Sequence, residues 1–152
     1  MITDYLLALV SLVFFLRLRQ NERFDSEISV RLWAIGFGLS AVAATAGGSF
    51  HGFAAHFTPG ISKALWNTTV FLLGCCTAFM IAGTLAASID RRSPTAKWLL
   101  TGLAISVVGL TLLAGGFTLH KHFNQNDIYH CVQLVALYFF FRGASLLEDR
   151  SK

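Results

Sequence analysis

Five apolar blocks, with most of the charge confined to the stretches between them, constrain this chain more than any other feature. A helix needs about 20 apolar residues to cross a bilayer, because the hydrocarbon layer is about 30 Å thick and each residue rises about 1.5 Å. Hydropathy places the blocks at residues 3–18, 31–53, 62–88, 97–119 and 127–147. The expected fold is therefore all-α, an integral membrane bundle of five transmembrane helices forming one domain over residues 1–152. Composition agrees: 55% of residues are hydrophobic and only 13% charged. Soluble domains carry roughly 25% charged residues, so this chain has too little charge to cover a water-facing surface.

The charge that remains is informative through its placement. Arg17, Arg19, Arg23 and Arg31 flank the first connection, Arg91, Arg92 and Lys97 the third, and Arg142, Arg150 and Lys152 the C-terminal tail. Five alternating spans put all of these on one side, leaving only Lys63 and Lys121 opposite. Positive residues mark the cytoplasmic side, so the N-terminus is expected outside and the C-terminus in the cytoplasm of the cell inner (plasma) membrane. The first block has no basic leader and no small-residue cleavage site, which argues for an uncleaved first span. The net charge of +4 makes no basic, aromatic-interleaved surface, so the expected partner is the lipid bilayer and not nucleic acid.

The last block opens on the most polar face of any span. On a helix, Asn126, Asp127, His130 and Gln133 fall within about 120° of one another. Such groups are costly in hydrocarbon and should face protein or a water-filled cavity. The same topology puts every histidine in the outer half: His51 and His56 end the second helix, His120 and His122 end the fourth, and His130 begins the fifth. Imidazoles with a carboxylate suit zinc, with three protein ligands and an open position for water. The candidate metal ligands are His51 and His130 with His120 or His122. Asp127 is the candidate to orient a ligand or activate water, since bound zinc lowers the pKa of water to about 7. Ser49 becomes a candidate nucleophile if His130 reaches it across helices, and a haem between His51 and His130 is a less specific alternative.

Plainer readings stand beside these. His56, His120 and His122 suit a wet membrane boundary, and His51 and His130 suit buried interhelical hydrogen bonds. Asp127 also fits the start of a helix, where the macrodipole favours a carboxylate. Cys75, Cys76 and Cys131 form no CxxC pair and read as small apolar packing residues.

Gly-Gly-Ser-Phe-His51, Leu-Trp66-Asn-Thr and Asn-Asp127-Ile-Tyr-His130-Cys-Val-Gln133 together resemble a small bacterial membrane-protein family of unknown function. More distantly the chain is similar to the CREST superfamily of alkaline-ceramidase-like hydrolases. That resemblance implies a zinc site of three His, an Asp and a Ser acting on lipid amides and related bonds. The chain departs from it in having five spans rather than seven. Gly47 stands where the superfamily has the Ser of Ser-x-x-x-His, and Asp127-x-x-His130 replaces the late His-x-x-x-His. His51, Asp127 and His130 are the positions that carry over.

Two functions follow from these readings. One is a metal-dependent hydrolase of a lipid or other membrane-soluble substrate, working at the outer leaflet. The other is a non-enzymatic accessory subunit of a larger membrane complex, its polar face docking other membrane subunits, a cofactor or a pigment.

Overall fold

The computed structural model describes residues 2–120 and 123–150. Among them run five α-helices: α1 (Ile2–Arg19), α2 (Ile28–Phe53), α3 (Pro59–Ala86), α4 (Pro94–Ala114) and α5 (Gln125–Ala144). A 3-10 turn, Ala54–His56, extends α2. The all-α class agrees with the sequence. Three helices, α2 continued through His56, α3 and α4, are long and apolar enough to cross a membrane. α1 and α5 are more polar, with Asp4, Arg17 and Arg19 on the first and Asp127 and Arg142 on the second.

The helix starts lie earlier than hydropathy places them, because caps rather than apolar residues set them. The Thr58 hydroxyl accepts the Ile61 N–H, with Pro59 in the first turn of α3. The Pro59-Gly60 pair, a combination common in loops, therefore opens this helix. Ser93 and Pro94 repeat the device at α4, where the Ser93 hydroxyl accepts the Ala96 N–H at 3.1 Å. Proline suits the first turn because its missing N–H would have no helical partner there. α4 ends at Ala114, short of the expected 119, since Gly116 takes a left-handed φ of 65°.

α1 lies between α2 and α5, α3 packs on α2, and α4 packs on α5. No extensive seam joins α3 to α4, so the bundle opens like a fan between them. Small residues set the outer pairs: a Cβ on Gly83 would come within 2.7 Å of Trp33, and one on Gly102 within 2.8 Å of Phe140. Such close approach is how helices associate where lipid supplies no hydrophobic drive.

The apolar core fills one end of the fan. Leu18, Val30, Trp33, Phe37, Leu137 and Leu147 are buried together there. Phe14 stacks on Phe141 with centroids 4.5 Å apart and meets Phe37 edge-on at 5.6 Å. The residues after α5 tie this end shut. Asp149 accepts the Ile28 and Ser29 N–H groups at 2.7 and 2.9 Å, and Glu27 accepts the Asp149 N–H at 2.5 Å. Asp149 thus caps the start of α2 from a distant part of the chain, in place of a side-chain cap of the helix's own. Arg23 adds a 2.7 Å bond to Glu148, and Ser88 N–H donates to the Glu148 carbonyl at 2.8 Å. That last contact pulls the chain out of helix after Ala86, and α5 likewise ends at Ala144, short of the expected 147.

Candidate functional site

The opposite end of the fan holds the polar residues, brought together from α1, α2 and α5. α5 begins with a capping box in which the Asn124 side chain accepts the Asn126 and Asp127 N–H groups. In return Asp127 Oδ2 accepts the Asn124 N–H at 3.1 Å. Its other oxygen, Oδ1, accepts the Thr3 hydroxyl from α1 at 2.8 Å. Thr3 Oγ1 also lies 3.1 Å from His130 Nδ1. The hydroxyl has one proton and gives it to Asp127, so it accepts from His130, and Nδ1 carries the hydrogen. His130 Nε2 then faces Asp4 Oδ1 at 3.7 Å. Asp4 is 5% exposed, so this ionisable pair is held inside the bundle.

Asp4 fits because α2 is stripped of side chains opposite it. A Cβ on Gly48 would sit 2.9 Å from Asp4 Cβ, and one on Gly47 3.4 Å from Thr69. The Gly115-Gly116 pair does something different, closing α4 instead of admitting a neighbour. The two Gly-Gly pairs, alike in sequence, are thus not structural equivalents.

Beside the Asp4–His130 pair lies a cavity of about 300 Å³. Its polar side is Asp4, Ser40, Asn126, Tyr129, His130 and Gln133; its apolar side includes Leu7, Val70, Leu73, Leu113 and Leu137. His51, Trp66 and Thr69 complete it. Val70 and Leu73 come from α3 and Leu113 from α4, neighbours of the cavity that share no extensive seam. Gln133 is held by α4, its Oε1 accepting the Ser106 hydroxyl at 3.2 Å.

The predicted residues divide accordingly. His51 and His130 line the same cavity, with His51 edge-on to Trp66 at 6.3 Å. Asp127 does not line it; its carboxylate caps α5 and holds Thr3. The Ser49 hydroxyl bonds the Thr45 carbonyl at 2.8 Å and Tyr5 at 3.1 Å, rather than His130. His120 pairs through its backbone with Phe123 and is exposed, away from the cavity. His122 lies outside the described residues. No three His, Cys, Asp or Glu side chains among the described residues converge as metal ligands. His130 engages Thr3 through Nδ1 and faces Asp4 through Nε2.

Sequence reasoning did not single out Thr3, Asp4, Tyr5 or Tyr129. The available signal was the Thr3-Asp4 pair at the start of a greasy helix, since a carboxylate in a span should face protein.

No curated protein and no solved structure matches the chain, so the similarity to CREST hydrolases rests on the sequence motifs alone. A family model does match, over residues 1–90 and 84–149. The chain belongs to that family, a family of unknown function, DUF6962.

Proposed function

We propose that this protein is a five-span protein of the cell inner membrane, with the polar end of the fan outside, and that its cavity binds a membrane-soluble small molecule. The cavity itself carries the reading. It sets a polar face of Asn126, His130, Gln133 and Asp4 against the apolar Val70, Leu73 and Leu113. Binding sites for small molecules combine apolar walls with a few placed polar groups in this way. The α3–α4 gap gives the apolar part of such a ligand a route from the bilayer, while its polar part meets the His130 side.

Several features support the topology. α1 runs between α2 and α5, and α5 alongside the apolar α4, so these two more polar helices share the depth of their neighbours. α1 presents Leu6, Leu9, Leu12, Val13 and Leu16 outward. The cationic connections meet at the end tied by Asp149 and Arg23, as cytoplasmic segments should.

A CREST-like hydrolase is the lesser reading, because Ser49, Asp127 and the histidines do not share one reacting point. Mass spectrometry of protein purified in mild detergent separates the two. Wild type should retain a stoichiometric small molecule, and Leu73→Trp, which fills the cavity, should lose it. A wild-type protein carrying no such molecule overturns the proposal, and stoichiometric zinc would favour the hydrolase.

A further inference from the structure

A second site lies at the other end of the fan, where α4 begins and α5 ends. Lys97, Trp98, Thr101 and Phe139 line a shallow groove of about 310 Å³ together with Pro94. The Arg142 guanidinium lies over Trp98, 5.1 Å from the ring centroid, and Phe139 meets the same indole at 5.4 Å. Two other cations at this end are engaged by protein: Arg23 by Glu148 and Arg150 by the Ala87 carbonyl. Lys97 and Arg142 are exposed, and among the described residues neither has a carboxylate partner.

We propose that this groove seats the headgroup of an anionic phospholipid of the cytoplasmic leaflet, with the phosphate between Lys97 and Arg142 and the upper acyl chain against Trp98 and Phe139. The chemistry fits at three points. A guanidinium fixed over an indole is pre-oriented for phosphate oxygens, which it binds in a planar, two-pronged fashion. Tryptophan favours the headgroup level of the membrane, where its ring is half in hydrocarbon. Cations beside a span attract anionic lipid, by about fivefold in affinity for each Lys or Arg near the surface. Because Arg142 sits one turn from the end of α5 and Lys97 one turn into α4, a bound lipid would also brace the α4–α5 pair.

The inference rests on the membrane topology but not on the outer cavity, so the two can fail separately. The test is thermal unfolding in detergent with added short-chain phosphatidylglycerol, phosphatidylcholine or inorganic phosphate. Phosphatidylglycerol should stabilise wild type more than phosphatidylcholine does. The Lys97→Gln/Arg142→Gln variant should need about 25-fold more of it, from two cations at about fivefold each. Lys97→Gln alone leaves the Arg142–Trp98 stack in place and should lose about fivefold, which keeps the test readable if the double variant folds poorly. Equal protection by the two lipids, or unchanged protection in Lys97→Gln, overturns the proposal. Full protection by phosphate alone overturns it too, by making the site one for a free anion.

Discussion

The Thr3 hydroxyl stands 3.1 Å from His130 Nδ1, joining the first turn of the first helix to the last helix of the chain. Through it the Asp127 carboxylate, which caps α5, also fixes the imidazole that faces the cavity. Thr3→Val keeps the shape of the side chain and removes the hydroxyl. It should lower stability by about 1–2 kcal/mol, the range for interhelical hydrogen bonds in membranes. Thr3→Ser should restore it. Thermal unfolding of the three proteins in one detergent checks the ordering, and equal stability of Val and Ser variants would remove Thr3 from the site.

Gly48 faces the backbone end of Asp4, where a Cβ would come within 2.9 Å. Asp4 Cβ cannot move without moving α1, so Gly48→Ala should cost about 1–3 kcal/mol, the usual range for overpacking. Gly74 has nothing within 4 Å of the same atom. Gly74→Ala should be neutral, or stabilising by up to about 1 kcal/mol, from helix propensity. Comparing the two unfolding midpoints tests whether Gly48 of α2 serves close approach, with Gly74 of α3 as the open-space reference.

These two residues also mark how far the sequence could be read. The five helices were legible because apolar blocks of spanning length have few other folds. His130 and Gln133 were legible because a polar stripe on a greasy helix must face inward. Asp127 kept its plainer reading, a helix-start carboxylate, because Asn124 three residues earlier completes a capping box that hydropathy does not register. Thr3 and Asp4 were not legible as site residues, since nothing local shows that α1 inserts between α2 and α5. The same gap in knowledge of packing separated Ser49 from His130 and put His120 outside the cavity.

Asp149 gives the fold a pH dependence. Burial acts against its charge, but the Ser29 and Ile28 N–H groups and the Arg31 charge outweigh it, so the carboxyl lies below its ordinary value. A carboxyl with a lowered folded pKa contributes stability that is fully present above its unfolded pKa, about 3.9 for Asp. That contribution is lost as pH falls through the lower folded value. Asp149→Asn should reduce stability by about 1 kcal/mol at neutral pH, as a lost helix cap does. It should also flatten the decline in melting temperature below about pH 4 relative to wild type. Parallel curves at all pH values would show that Asp149 is not a cap.

The topology has its own check. Single cysteines replacing Asp25 and Ser93, in a background lacking Cys75, Cys76 and Cys131, should react with a membrane-impermeant reagent only after the cytoplasmic face is opened. Labelling of either in intact cells would reverse or break the five-span arrangement.

The central claim is that the cavity takes one molecule from the membrane, and photocrosslinking tests it most directly. A benzophenone side chain placed at Leu73, on the cavity wall, is compared in native membranes with one at Leu85, an α3 residue that is 65% exposed and outside the cavity lining. The account predicts an adduct of a single defined mass from position 73 and the mixed bulk lipids from position 85. The same lipid mixture from both positions would contradict it.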